Sequence, residues 1–267
     1  MERPTVLLTN DDGVTSLGLM ALKKALDEVA AVEVYAPDRN WSAASRTMTL
    51  HKPLRVDRVL LLDGSEGHMT SGTPTDCVSL AMLGLLDPLP RLVVSGINAG
   101  LNLGQDVSYS GTVAAAMEAV RCGVPAIAVS QDVETKGTEE ISYDIAGRFA
   151  ARLAAALLEE VSLPKGTLLN VNVPYIPPGR MPRVRVTRLG GLAYSNYLVK
   201  GHDPQGRSYY WIAGDPQRTV PKEEEDTDIG AIVDGMISVT PLHMDMTEHS
   251  LLSTLREWES RPWFDAT

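Results

Sequence analysis

The chain is short of cysteine, of aromatic side chains and of positive charge, and each shortage narrows what it does. Its two cysteines, Cys77 and Cys122, make no disulfide framework, so a reducing compartment and a cytoplasmic protein are expected. Lys and Arg number 24 against 34 Asp and Glu, a net charge of −10, which argues against a nucleic-acid polymer as partner. A small phosphate ligand stays open, because a metal ion or a helix N-terminus supplies local positive potential. No apolar run approaches the ~18 residues of a membrane span, and MERPTVLLTN at the start has no signal-peptide core. Neither a G-x-G-x-x-G after the first strand-like segment nor a G-x-x-x-x-G-K-[ST] loop occurs. Their absence counts against the usual dinucleotide fold and against a P-loop. The rest is ordinary: 267 residues, 44% hydrophobic and 22% charged, enough for one large domain or a core with a smaller second unit.

What is present alternates. Residues 5–9 form a β-branched and apolar run, and Leu19, Leu22 and Leu26 then share one helix face within residues 17–29. Residues 32–36 read as a second strand and 54–62 as another, in a hairpin-like stretch. Thr73-Pro74-Thr75-Asp76 has the chemistry of a helix start, with Thr73 as N-cap and Pro74 at the first helical position. That helix runs on to Leu86, followed by a strand at 92–95, a helix at 110–121, a strand at 126–130, a helix at 141–161 and a strand at 168–173. Strands separated by helices predict a Rossmann-like α/β fold, a mostly parallel sheet with helices on both faces, over residues 1–180. Beyond it, Pro177-Pro178-Gly179 and Met181-Pro182 break the pattern. Alternation over 183–189 before Gly190-Gly191 suggests hairpins. Residues 222–228 form an acidic surface stretch, and a strand at 237–240 and a helix at 246–258 close the chain. Tyr194, Tyr197, Tyr209, Tyr210 and Trp211 cluster in a chain only 5% aromatic. Residues 181–267 are therefore expected to serve oligomerisation or to wall a ligand.

Ligands of open α/β sheets bind at the carboxyl ends of the strands. Four segments there are rich in oxygen and amide groups: Asn10-Asp11-Asp12-Gly13, Pro37-Asp38-Arg39-Asn40-Trp41-Ser42, the run from Ser95 through Asn98 to Gly104, and Tyr109-Ser110-Gly111-Thr112. An Asx-type turn explains Gly13 and one of the two acids; a bound cation explains both. Carboxylates, a hydroxyl and an amide carbonyl suit Mg²⁺, Mn²⁺ or Ca²⁺ rather than zinc. Asn98 also fits a loop-shaping role, and Ser42 a turn cap. Ser110-Gly111-Thr112 opens an Ala-rich helix whose free N–H groups form a ready anion site, or are simply capped by Ser110. A cation loop and an anion loop on one sheet edge suggest phosphate-ester chemistry. The five histidines, His51, His68, His202, His243 and His249, are scattered and read as structural or surface residues.

LLTNDDG near the start, APDRNWSAAS at 36–45, SGTPTDCV at 71–78, VSGINAGLNLGQDVSYSGTVAAAMEA at 94–119 and ISVTPLHMDMT at 237–247 span nearly the whole chain. In these segments it resembles the SurE family (survival protein E), the stationary-phase survival 5′-nucleotidases. The resemblance implies a metal-dependent phosphatase acting on nucleoside 5′-monophosphates, with relaxed choice that extends to some 3′-nucleotides and short polyphosphate. It implies one divalent ion, Mg²⁺ or Mn²⁺, held by Asp11, Asp12, Ser42 and Asn98. It places Asn40 and Ser110-Gly111-Thr112 toward the phosphate, makes Asp11, Asp12 and Asn40 the catalytic candidates, and implies a homodimer or homotetramer. Trp41 departs from the small or basic residue more usual between Asn40 and Ser42, which bears on the shape of the pocket. The chemistry it implies is attack by metal-activated water, with an aspartyl-phosphate route as the alternative.

Two other phosphoryl-handling folds are less compatible. Haloacid-dehalogenase-type phosphatases separate their two acids by one residue, whereas here Gly13 stands where the second would be. A response-regulator receiver is ~120 residues long and needs a Lys after its fifth strand; Gln131-Asp132 stand after Ser130 here.

Overall fold

The computed structural model describes residues 3–133, 141–176, 182–191, 194–216 and 224–264. Among these, a nine-stranded sheet runs in the order β3-β4-β2-β1-β5-β6-β7-β11-β8, and a separate antiparallel hairpin joins β9 to β10. The strands are β1 (Thr5–Thr9), β2 (Ala31–Pro37), β3 (Val56–Leu60), β4 (Glu66–Thr70), β5 (Leu92–Ala99), β6 (Ala126–Gln131), β7 (Thr167–Val173), β8 (Val184–Val186), β9 (Tyr194–His202), β10 (Ser208–Pro216) and β11 (Ile237–His243). The helices are α1 (Leu17–Leu26), α2 (Pro74–Leu80), α3 (Gly111–Arg121), α4 (Asp144–Glu159), α5 (Asp228–Val233) and α6 (Leu252–Arg256). The expected α/β class, with helices on both faces, is what the chain adopts.

The alternation along β1 sorts the core into two layers. Val6 and Leu8 face α1 and α4, packing with Leu19, Leu22, Leu26, Ala146, Ala150 and Ala154. Leu7 faces the other way, among Cys77 and Val78 of α2 and Val113, Ala116 and Ala119 of α3. β5 repeats the arrangement, Leu92 and Val94 to the first layer and Val93 to the second. Parallel strands buried on both faces have to be apolar at every position, which is why these segments read as continuous runs.

The chain leaves β1 toward β2 on one side and later returns to pair β5 with β1 on the other. Between β1 and β5 the winding therefore reverses. The loops after these two strands diverge to opposite faces and open a crevice between them. α2 begins with a full capping box, Thr73 accepting from Asp76 N–H and Asp76 accepting from Thr73 N–H. It gives way at Ala81 to a π-helical turn ending at Leu85, so the expected helix to Leu86 stops at Gly84, whose φ is 126°.

Two expectations need correction. Residues 183–189 form no hairpin: β8 pairs parallel with β11, which itself runs antiparallel to β7. The hairpin is β9–β10, with Trp211 opposite Val199. The helix expected at 246–258 is broken into a 3-10 turn at His249–Leu251, the short α6 and a second 3-10 turn at Glu257–Ser260. The Pro177–Met181 break, and Lys222 and Glu223 of the acidic stretch, lie outside the described residues. The far end of that stretch is not surface at all, since Asp228 is fully buried.

Asp228 ties the late part of the chain to the sheet edge. Its carboxylate accepts from Gly104 N–H at 2.8 Å, Gly190 N–H at 2.8 Å and Ile229 N–H at 2.9 Å. Asn102 extends the same anchorage, with its N–H donating to Asn172 Oδ1 and its side-chain amide donating to Ser130 Oγ. Together they fix the loop that follows β5. Replacing Asp228 by Ala strands three buried donors, so a loss of about 3 kcal/mol or more is expected. Urea unfolding of the variant checks this; an unchanged midpoint would rule the anchor out.

Candidate functional site

All four oxygen-rich segments meet around Asp11 and Asp12. β1 delivers them to the crevice, but the turn that follows is built by their neighbour. Asn10 donates from its amide to Gly13 O at 3.0 Å and to Ser16 Oγ at 2.7 Å, and accepts from Gly13 N–H at 3.2 Å. Ser16 in turn caps α1. The Asx-type turn thus belongs to Asn10, which the sequence pattern did not single out, and both carboxylates are left for something else.

Asp11 is 3% exposed. One of its oxygens accepts a short hydrogen bond from Thr112 Oγ1. The other lies where Gly111 leaves room: a Cβ there would fall 2.8 Å from Asp11 Cβ and 2.9 Å from Oδ2. The N-terminus of α3 is therefore directed at a carboxylate of the protein itself. Asp12 is more open. Its Oδ2 accepts from Ala99 N–H at 3.0 Å and its Oδ1 from the Asn40 amide at 3.2 Å. Trp41 N–H donates to the Asp11 carbonyl at 2.7 Å, and Ser42 N–H to Asn40 Oδ1 at 2.7 Å. These links bring the 37–42 loop, the loop after β5 and the start of α3 to one pair of acids.

The remaining candidates lie on the same loops. Asn98 donates its amide nitrogen to Gly100 O at 2.8 Å, which fixes the amide and leaves its carbonyl oxygen as the available ligand. The pairing of β5 with β6 shifts register between Ser95 and Asn98, and Asn98 resumes it opposite Ser130. The Ser42 side chain is exposed beside Asn40. Ser110 caps α3, accepting from Val113 N–H at 3.1 Å. Its hydroxyl proton is still available to donate, and the first N–H groups of the helix have no helical partner. Of the histidines, His68 stacks on Tyr35 and His249 pairs with Asp245.

Electrostatics set this pair apart. Burial pushes the Asp11 carboxyl up from 3.8 to about 6; the Asp12 charge adds to the rise and the Thr112 hydroxyl opposes it. Among the described residues no Lys or Arg forms an ion pair with either acid. Nor does any cluster of three or more His, Cys, Asp or Glu with metal-holding geometry occur among them. A cation here has to combine two carboxylates with neutral oxygens. Asp11, Asp12, the Ser42 hydroxyl and the Asn98 carbonyl are such a set, all hard oxygen donors, and they fit Mg²⁺ or Mn²⁺.

Without a cation, the ionised Asp11 should oppose folding. Its folded pKa lies above the unfolded value, so its contribution to stability is full below about pH 3.8 and is lost as pH rises through about 6. In chelator at pH 8, Asp11→Asn is expected to be more stable than the native chain by about 3 kcal/mol. The two should converge near pH 4. Denaturant melts at both pH values measure this, and a variant no more stable at pH 8 refutes the account of Asp11.

Comparison with known proteins gives the family. The family model described as Survival protein SurE matches residues 6–196. The 5′-nucleotidase SurE of Chloroflexus aggregans is 49% identical over 255 residues, 95% of this chain and 98% of its own length. That of Moorella thermoacetica is 44% identical over 259 residues, 97% of each chain. The crystal structure of the SurE protein from Aquifex aeolicus is similar with a TM-score of 0.80 at 38% identity, covering 96% of this chain and 100% of that one.

Proposed function

Because this chain belongs to the SurE family, we propose that it is a divalent-metal-dependent phosphatase that hydrolyses nucleoside 5′-monophosphates to nucleoside and inorganic phosphate. The observation that carries this reading is the pairing of two carboxylates, without a cationic partner among the described residues, with the N-terminus of α3. Asp11, Asp12, Ser42 and Asn98 would hold one Mg²⁺ or Mn²⁺ ion. When bound, such an ion acts as a Lewis acid on a phosphoryl oxygen and lowers the pKa of a water.

The chain's own groups divide the remaining work. Asn40 spends one amide hydrogen on Asp12 and has a second for a phosphate oxygen. The Ser110 hydroxyl and the Gly111 N–H, at the positive end of α3, serve the other phosphate oxygens as charge shifts toward the leaving group. Thr112 holds Asp11 through its hydroxyl, so its part is to orient that carboxylate. Asp11 is closed in by Thr112 and Gly111, which leaves it little room to act as a nucleophile. Attack by water is therefore favoured over an aspartyl-phosphate route. The open crevice beside Asp12 suits a range of leaving groups, including 3′-nucleotides and short polyphosphate.

The hairpin β9–β10 exposes Leu198, Val199, Tyr209, Tyr210, Trp211 and Ile212. So large an apolar surface on a narrow two-stranded ribbon suits burial against another copy, in a homodimer or homotetramer.

The test is phosphate release from a panel of 5′- and 3′-nucleotides and short polyphosphate, with Mg²⁺, Mn²⁺ or chelator. Chelator-sensitive release from 5′-monophosphates is expected; none from any nucleotide rejects the reading. Gly111→Ala adds one methyl against Asp11 at 2.8 Å in a helix that otherwise favours Ala. Its kcat should fall about 100-fold while its circular dichroism matches the native chain, and an active variant would mean that Asp11 is misplaced in this scheme.

A further inference from the structure

The loop that carries Ser42 is poorly held by its own backbone. Residues 42–47 have no regular structure, and two non-glycine residues within them adopt left-handed backbone angles, Ala43 at φ 57° and Ser45 at φ 53°. Such conformations persist only where the surroundings over-determine them. The surroundings do so at three points. Ser45 N–H and Oγ donate to the carbonyls of Tyr109 and Ser108, at 3.0 and 2.8 Å. The capping box of α2 takes the far end, Thr73 Oγ1 donating to Thr47 O at 2.6 Å and Thr49 N–H donating to Asp76 Oδ1 at 2.9 Å. Arg46 supplies the third, a charged tether, its Nη2 donating to Glu118 Oε2 at 3.2 Å.

Glu118 is an unusual residue to meet in the apolar interior of α3. Its side chain is 1% exposed, against 34% for Arg46. Burial alone would raise its pKa, but Arg121, Ser79 and Arg46 outweigh that and hold it below the ordinary carboxylate range. Ser79 Oγ donates to Oε1 at 2.7 Å from α2, and Arg121 Nε donates at 3.0 Å to both oxygens. The carboxylate is thus fixed by α2 and α3 before the loop reaches it. The same helix begins with the residues that hold Asp11, so α3 connects Asp11 rigidly to the tether of the loop bearing Ser42.

We propose that Glu118, acting through Arg46, is a positioning residue that holds the Ser42 hydroxyl in register with Asp11 and Asp12 for the cation. The inference rests on the metal site described above. Groups that orient metal ligands without touching the ion commonly change affinity by an order of magnitude or more.

Mn²⁺ titration of the metal-free full-length chain, read by electron paramagnetic resonance of the free ion, tests it without assaying turnover. Arg46→Ala leaves Glu118 paired with Arg121 and Ser79, so it should fold, with a melting temperature near that of the native chain. Its Kd for Mn²⁺ should rise about tenfold, and Arg46→Lys should recover part of the loss. Glu118→Gln should weaken binding in the same direction and add little to Arg46→Ala. In a Ser42→Ala background, Arg46→Ala should have almost no further effect, because the group it positions is gone. Native Mn²⁺ binding by Arg46→Ala, or an equal loss in both backgrounds, overturns the positioning role and leaves the metal site standing. Failure of the native chain itself to bind Mn²⁺ overturns both.

Discussion

Two carboxylates on consecutive residues at the end of a buried strand repel each other, and the rest of this structure is arranged around that repulsion. Asp11 is buried and Asp12 half-open, at the point where the winding of the sheet reverses. The groups turned toward them are neutral: a threonine hydroxyl, the end of a helix, the Ala99 N–H and the Asn40 amide. Such dipoles reduce the cost of negative charge without cancelling it. On the proposed function, this arrangement is preorganised to receive a cation and gives up stability in the metal-free chain to do so.

The contrast with the other buried acids makes the point sharper. Asp76 is bonded by the backbone N–H of Thr73 and of Thr49. Asp228 takes three backbone N–H groups and Glu118 two guanidinium groups and a hydroxyl. Each of these carboxylates is a structural bolt whose partners come from the chain, and each fastens a loop that reaches the crevice. Burial of an acid is therefore no mark of function here. What separates Asp11 is burial directly beside a second acid, with a pKa pushed up to about 6 and no cationic partner among the described residues.

How much of this could be read in the sequence follows from how local each feature is. The cap of α2 was legible because Thr73, Pro74 and Asp76 are within one turn and satisfy one another. The buried parallel strands were legible because sheet faces covered on both sides demand continuous apolar runs. β8 was misread, since its partner is β11, some fifty residues on, and alternation alone does not name a partner. The helix at the end was overextended because its apolar spacing continues through residues that fold as 3-10 turns. At the site, the residue types and the loops were visible, but the division of labour was not. Asn10, Ala99 N–H and Glu118 act through contacts set by the fold, and Asn10 took the turn that Asp11 or Asp12 had seemed to need.

Trp41 shows why a departure in side chain need not disturb such a site. What the crevice uses from this position is its backbone, the N–H that donates to Asp11 O and the carbonyl that accepts from Ala44 N–H. Any residue other than proline supplies both. The indole, whose Nε1 is buried without a hydrogen-bond partner among the described residues, has the Arg39 guanidinium 4.7 Å from its ring centre, a cation–π pair that stiffens the loop between Asn40 and Ser42. Variation in the side chain at position 41 thus leaves in place the backbone bonds to Asp11 and Ala44 and the bond from Ser42 N–H to Asn40.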